Sequence, residues 1–282
     1  MNACFFTDTN SSKTYLYILS QTSLTSFDKI TSIKKLDICT MVSSSVLSNI
    51  TGIDADNTSF NAFKTVELGG AYIALYQVFS DESFNFKINI FPTDGSTVVT
   101  YTYEGEDDII KDVTFSQPSG TSSSSPIMFV LVKNRIDLIS VSVDNALAGT
   151  GIQLPDKSFS LIEFVQERVL VASPIYGVQS FQFVNGNLND KNLTTTNFNF
   201  SAPMPTVLHS FQCATYFGAI VYDNDIYMTN DGGLTWADVS TIATPTSGVT
   251  RAAGAASDYR KFFFVQCGEG DPSEEYSITI TT

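Results

Sequence analysis

Apolar and polar positions along the chain recur as a unit of fixed order. An apolar stretch is followed by a tight polar turn, a second apolar or alternating stretch, and a corner built on Asp or Asn, often ahead of Gly. Short runs with period-two alternation, bounded by turn residues, read as β-strands. The unit is clearest in four places. Residues 71–79 turn through Ser80-Asp81-Glu82-Ser83 into 84–91, with a corner at Asp94-Gly95. Residues 126–132 turn at Lys133-Asn134 into 135–143, with a corner at Asp144-Asn145. Residues 168–172 turn through 173–177 into 178–184, with a corner at Asn185-Gly186. Residues 217–222 turn at Asp223-Asn224 into 225–228, with a corner at Asp231-Gly232. The corners lie roughly 50, 41 and 46 residues apart, the period of a four-stranded propeller blade.

Two weaker units complete the pattern: a hairpin of 15–20 with 24–30 near the start, and one of 261–267 with 276–280 at the end. The last unit runs out of chain before its outermost strand. Residues 3–6 (Ala-Cys-Phe-Phe) are expected to supply that strand and so close the ring, which removes exposed sheet edges. The interval before Asp94 is about twenty residues too long for one blade of the usual period. It holds either an insertion around 39–60 or a degenerate extra blade, so six blades are expected, with seven as the alternative. Helix signals are nearly absent, since 43–47 and 143–148 are too short and too β-branched. The low-complexity stretch 116–126 (SQPSGTSSSSP) reads as a mobile loop between blades rather than a domain linker, because the same unit resumes after it. The expectation is an all-β chain forming a single closed β-propeller domain over 1–282.

Composition narrows the partners. Fifteen basic against 29 acidic side chains give a net charge of −14. The few Lys and Arg are scattered, which excludes the basic stripe that a nucleic-acid groove needs. Twenty-two Phe and 12 Tyr suit half-buried pleated surfaces. No run approaches the roughly 18 apolar residues of a spanning helix, and the opening residues lack the basic and apolar regions of a signal peptide. Either the chain is not classically secreted or a leader lies outside the numbering. Cys4, Cys39, Cys213 and Cys267 have no close spacing, so paired zinc knuckles are not expected and free thiols are favoured over two disulfides. Sequons at Asn10, Asn49, Asn57, Asn192 and Asn199 match the number of about four that chance supplies in a chain this rich in Ser, Thr and Asn.

The sole tryptophan ends Thr229-Asn230-Asp231-Gly232-Gly233-Leu234-Thr235-Trp236, a match to Ser/Thr-x-Asp-x-Gly-x-Thr-Trp. On these residues the chain resembles the Asp-box proteins, also called bacterial neuraminidase repeats. Asp231 is expected to accept hydrogen bonds from its own turn, and Gly232 or Gly233 to take positive φ. Thr229 and Thr235 offer hydroxyls to the loop, while Trp236 covers the turn and extends the core. The resemblance implies that Thr229, Asp231, Gly233, Thr235 and Trp236 are structural. In the family the box joins the third and fourth strands of a blade, usually away from a catalytic face. Asp94-Gly95 holds the equivalent place without the Thr-Trp ending and resembles a decayed box. The family spans sialidases, sortilin-type receptors, photosystem assembly factors and phage or viral surface proteins, so function must be argued from a site.

The catalytic inventory is thin. A sialidase needs three arginines on the substrate carboxylate and an Arg-Ile-Pro signature; here Arg135, Arg168, Arg251 and Arg260 include no such tripeptide, with Asp137 following Arg135-Ile136. His209 is the only histidine and reads as an ordinary strand residue, which leaves no basis for a Ser-His-Asp triad or a histidine metal cluster. Glu104, Glu106, Asp107, Asp108 and Asp112 form one acidic cluster, and Asp54, Asp56 and Asn57 another. Neither has a calcium-loop pattern, so both read as solvated acidic loops. The sequence therefore predicts a non-enzymatic binding or structural module with no catalytic residue, metal or cofactor. Its expected partners are protein subunits of a virion or extracellular assembly, with glycans second. An Asp-box glycoside hydrolase of sialidase type and a sortilin-type receptor ectodomain are the alternatives.

Overall fold

The computed structural model describes residues 3–8, 13–22, 29–37, 39–48, 58–67, 71–79, 85–92, 99–104, 109–116, 127–140, 151–195, 207–213, 215–222, 225–229, 231–238, 262–265 and 278–281. Side-chain detail is concentrated in 109–116, 127–140, 151–189, 227–229 and 231–237. Among these residues there are five antiparallel four-stranded sheets, one two-stranded hairpin and no helix.

Each sheet is a meander in chain order. The first holds β1 (Ala3–Asp8), β2 (Lys13–Thr22), β3 (Lys29–Asp37) and β4 (Val42–Ser48). The second holds β5 (Thr58–Glu67), β6 (Ala71–Phe79), β7 (Asn85–Pro92) and β8 (Val99–Glu104). The third holds β9 (Ile110–Phe115), β10 (Ile127–Val132), β11 (Arg135–Ser140) and β12 (Ile152–Gln153). The fourth holds β13 (Leu161–Val165), β14 (Arg168–Ser173), β15 (Gly177–Val184) and β16 (Asn187–Thr195). The fifth holds β17 (Val207–Cys213), β18 (Thr215–Tyr222), β19 (Asp225–Thr229) and β20 (Ala237–Asp238), and β21 (Phe262–Val265) pairs with β22 (Ile278–Thr281). The first strands touch in succession: β1 against β5, β5 against β9, β9 against β13, and β13 against β17. Consecutive sheets are thus neighbours through their first strands.

The periodicity of β14 shows how a sheet is buried on both sides. All six residues of Arg-Val-Leu-Val-Ala-Ser are buried. Val169 and Val171 join the cluster that includes Phe129, Leu131 and Ile136 of the third sheet. Leu170 and Ala172, on the opposite face, pack with Tyr227 and Trp236 of the fifth. An unbroken apolar run is what two packed faces require, and alternation would have signalled one. Phe129 stacks on Phe164 at 5.5 Å and meets the edge of Phe183 at 5.0 Å, which links the third and fourth sheets by preferred aromatic geometry.

Four expectations about the ends and loops are corrected. The N-terminal strand pairs with β2, Phe5 opposite Leu16 and Asp8 opposite Lys13, and does not complete the last hairpin. A local turn closes at far lower entropic cost than pairing the two ends of the chain. The stretch assigned to an insertion or extra blade holds β4 and the start of β5, the fourth strand of one sheet and the first of the next. The first hairpin's second strand runs over Lys29–Asp37 rather than 24–30. On that strand Lys35 Nζ sits 3.5 Å from the centroid of the Tyr15 ring across the ladder, where the cation and ring attract. The low-complexity stretch joins β9 to β10 within one sheet rather than two blades, its ends pinned by Ser116 N–H on Ile127 O at 2.7 Å and Ile127 N–H on Ser116 Oγ at 2.8 Å. The corners at Asp94 and Asp144 lie outside the described residues.

Candidate functional site

The tryptophan-bearing corner joins β19 to β20, the third and fourth strands of the fifth sheet. Thr229 closes β19, buried, and its Oγ1 donates to Asp231 Oδ1 at 2.8 Å while accepting Gly233 N–H at 2.8 Å. Asp231 Oδ1 also accepts Thr235 N–H at 2.9 Å, and Oδ2 accepts the Thr235 hydroxyl. Burial alone would lift the Asp231 carboxyl; the hydrogen bonds from Thr235, Thr229 and the Leu234 N–H outweigh it and hold its pKa below the ordinary value. Gly232 and Gly233 have φ of +70 and +86, where a Cβ is disfavoured.

The corner is pressed onto the fourth sheet. A Cβ on Gly232 would stand 2.6 Å from Arg168 Cδ, and one on Gly233 2.6 Å from Leu170 Cδ2. Arg168 Nε donates to Ser180 Oγ at 2.6 Å and Nη2 to Ser180 O at 3.1 Å, and Ser180 Oγ in turn donates to Gly232 O at 2.7 Å. Desolvation lowers the Arg168 pKa, and the Asp231 charge opposes that shift. Trp236, 7% exposed, packs with Val165, Leu170 and Val178. The corner is therefore a clamp between adjacent sheets, made of a hydrogen-bond relay at one end and an indole at the other.

Two further polar groups lie between the third and fourth sheets. On the first strands, Asp112 Oδ2 accepts Ile162 N–H at 2.9 Å, Thr114 Oγ1 accepts Phe164 N–H at 3.1 Å and donates to Glu163 Oε1 at 2.7 Å. Side chains of β9 thus satisfy amides of β13. In the connection from β12 to β13, Lys111 Nζ donates to Lys157 O and, at 2.8 Å, to Phe159 O. Asp156 Oδ1 accepts Ser158 N–H at 2.7 Å and Ser158 Oγ at 2.5 Å, and these bonds, with a smaller one from Tyr176, lower its pKa against the opposing effect of burial. The Tyr176 ring stacks on Phe159 at 5.6 Å.

Of the sequence candidates, the structure brings Thr229, Asp231, Gly233, Thr235 and Trp236 together, and adds Arg168 and Ser180, which no motif marks. Asp112 is corrected: it is 7% exposed within β9 and bound to amides, not part of a solvated loop. Its alternation with Thr114 along an apolar strand was the available signal. Arg135 pairs with Asp137 on its own strand, Nε–Oδ1 3.0 Å, remote from any partner arginine in sequence. His209 lies on β17 opposite Ala219, and Glu104 ends β8. Cys39 is an exposed free thiol, and Cys4 and Cys213 lie on β1 and β17. Asn192 lies on β16. Arg251, Arg260, Cys267, Asp54, Asp56, Asn57, Glu106, Asp107, Asp108 and the other sequons fall outside the described residues. Among the described residues no three His, Cys, Asp or Glu side chains group as metal ligands, and no helix is long and apolar enough to cross a membrane.

No protein-family model matches the chain, and no curated protein matches it in sequence. Solved structures match it in shape. BBS1N, solved in complex with ARL6DN, aligns with a TM-score of 0.55 at 9% identity, over 94% of this chain and 87% of that one. A chain of the mitotic checkpoint complex aligns at 0.53 and 12% identity, over 95% and 70%. The SapL1 lectin, solved with α-methyl fucoside, aligns at 0.53 and 13%, over 99% and 96%. These neighbours are β-propellers, and the chain shares their fold. At such identities the likeness concerns fold alone, and the sheets described above are its blades.

Proposed function

We propose that the chain is a non-enzymatic propeller subunit that binds other proteins within a larger virion or extracellular assembly. The observation that carries this reading is the use made of Arg168. A sialidase would aim such an arginine at a substrate carboxylate, whereas Arg168 is buried with its guanidinium on Ser180, and Arg135 is paired with Asp137. Arg168 instead holds Ser180, whose hydroxyl reaches Gly232 O at the corner of the next sheet. Corner residues 229–236 act in this reading as an Asp-box, a structural fastening without a role in chemistry. In this reading β21 and β22 belong to a sixth blade, and the six blades close into one ring over 1–282. Two of the fold neighbours were solved in complexes with protein partners, which fits a binding surface built on a rigid ring. Glycans are the secondary partners of this reading, and no cofactor enters it.

Two measurements test it together. Purified chain is expected to release no fluorophore from a 4-methylumbelliferyl sialoside above buffer; turnover lost in Arg168→Ala would overturn the reading. Cross-linking mass spectrometry on the native source is expected to join this chain repeatedly to the same protein neighbours. Recovery only as an isolated, unlinked chain would sink the assembly role.

A further inference from the structure

The connection from β12 to β13 and the turn from β14 to β15 meet at one end of the third and fourth sheets, and polar bonds lock them together. Ser160 N–H reaches Ala172 O at 3.0 Å. Ser173 is buried, and its Oγ accepts the N–H of Ile175 at 3.1 Å and of Tyr176 at 3.3 Å. Ser158 donates its one hydroxyl proton to Asp156 Oδ1, so the Ser173 hydroxyl donates to Ser158 Oγ. Lys111 Nζ, reaching over from β9, ties down the carbonyls of Lys157 and Phe159.

This bracing produces an immobile aromatic face. Phe159 is fully buried, and the Tyr176 ring lies nearly parallel to it, 4° between planes and 5.6 Å between centroids. Phe159 thus covers one face of Tyr176, and the 39% exposure of Tyr176 falls on the other. The Tyr176 hydroxyl is held as well, by a hydrogen bond to Asp156. A ring fixed at both ends loses little freedom when a ligand settles on it. Asp156 is half-buried, and two bonds from Ser158 and one from Tyr176 leave acceptor capacity unused, since a carboxylate offers about four lone-pair sites. Lys157, next in the chain, is exposed.

Three requirements define what such a surface recognises. The free face of the ring carries the negative end of its quadrupole and attracts weakly positive C–H groups. The rim must keep its hydrogen bonds. A dry apolar partner would strip water from Asp156 and Lys157 and return nothing, whereas a ligand bearing hydroxyls replaces those bonds, with a charge-assisted one to the carboxylate. Ions are disfavoured, because Lys111 lies within the fields of both Asp156 and Lys157; a ligand of either sign meets a like charge beside its counterion. A pyranose combines a face of polarised axial C–H groups with a rim of hydroxyls and no charge. We infer that the Tyr176 face is a binding site for a neutral pyranose, stacked on the ring with a hydroxyl donating to Asp156. The site rests on the glycan part of the reading above; the protein-assembly part, tested by cross-linking, stands or falls separately.

Solution NMR of the full chain with 13C-labelled tyrosine tests the site. The chain has 12 tyrosines, and the Tyr176 ring signal is the one absent from the Tyr176→Phe spectrum. Methyl β-D-glucopyranoside and methyl β-D-galactopyranoside are the probes. One ring and few hydrogen bonds imply a dissociation constant on the order of 1 mM. At least one of the two glycosides is expected to shift the Tyr176 signal saturably, and its axial ring protons to receive the most saturation transfer from the protein. Sorbitol, an acyclic polyol without a C–H face, leaves that signal in place. By saturation transfer, Tyr176→Phe keeps the affinity within about twofold, because stacking needs the ring and not its hydroxyl. Asp156→Ala weakens binding at least about threefold, and Tyr176→Ala at least about fivefold. The wild-type titration reads the contact directly, whatever the stability of the alanine variants. A Tyr176 signal that neither glycoside moves, an equal shift with sorbitol, or full affinity in Tyr176→Ala would each overturn the inference.

Discussion

Replacing Gly232 by Ala tests whether the corner is a clamp or merely a turn. Two costs are superimposed there. The first is conformational, since φ is +70 and an L side chain in the left-handed region costs about 1–2 kcal/mol, less a few tenths returned by the stiffer unfolded chain. The second is steric. The new Cβ would stand 2.6, 2.8 and 2.9 Å from Cδ, Cγ and Cβ of Arg168, the buried stem of that side chain rather than its free end. Arg168 must move, and its 2.6 Å bond to Ser180 Oγ is lost or stretched. A hydrogen bond to a charged group contributes about 1.5–3 kcal/mol, and overpacking adds about 1 kcal/mol or more. Gly186 is the internal control: φ is +80 and no atom lies within 4 Å of its Cβ position. Gly186→Ala is therefore expected to cost about 1 kcal/mol and Gly232→Ala about 3–5 kcal/mol.

Urea unfolding followed by circular dichroism and by the fluorescence of Trp236, the only tryptophan, measures both. Coincidence of the two probes establishes that corner and blades unfold together. An Arg168→Ala background removes the 2.6 and 2.8 Å approaches to Cδ and Cγ and leaves only the 2.9 Å approach to Cβ, so Gly232→Ala should there cost less than in the wild-type chain, a coupling of at least about 2 kcal/mol. Equal costs for the two glycines, or no change between backgrounds, would refute the clamp.

Other consequences follow from the same contacts. Trp236→Ala should cost about 3–5 kcal/mol by thermal or urea melting, with folded molecules retaining partner binding; an unchanged melt contradicts its core role. Asp112→Ala strips the acceptor from the Ile162 amide between two first strands and should cost about 1–3 kcal/mol in the same assay. Because the folded pKa of Asp231 is depressed, its contribution is present above the unfolded value near 3.9 and lost as pH falls through the lower folded value. Asp231→Asn should therefore remove part of the loss of stability below about pH 4, read as urea midpoints against pH. Cys39 is exposed, and Cys39→Ser should abolish a rapidly reacting thiol in a native Ellman titration.

The blade period was legible because its markers are local. Each corner needs residues that tolerate tight backbone, and those residues are visible wherever they fall. Asn185-Gly186 and Asp231-Gly232 both lie between third and fourth strands, at φ of 51 and 80 for the first pair. Places where reading failed depend on contacts between distant segments. The second strand of the first hairpin was expected at 24–30 and runs over Lys29–Asp37, where the ring that covers Lys35 belongs to Tyr15 of another strand. Arg168 was one of four arginines that no motif singled out, and its actual neighbours, Ser180 and Gly232, are 12 and 64 positions away. Asp112 was grouped with acids adjacent in sequence, whereas its decisive partner is the Ile162 amide 50 residues on. Pattern reveals which backbone a segment wants; it does not reveal which side chain a neighbouring blade will supply.

The side chains that Asp112 and Thr114 lend to the amides of Ile162 and Phe164 bear on how such a chain evolves. Repetition suggests units that a genome can duplicate, delete or shuffle freely. Here the inner border of the fourth blade is finished by its predecessor, so a transplanted copy would arrive without the Asp112 and Thr114 acceptors of its Ile162 and Phe164 amides, and with a buried glutamate missing its threonine. Blades joined in this way are inherited as neighbours, and the order of the chain is part of its stability.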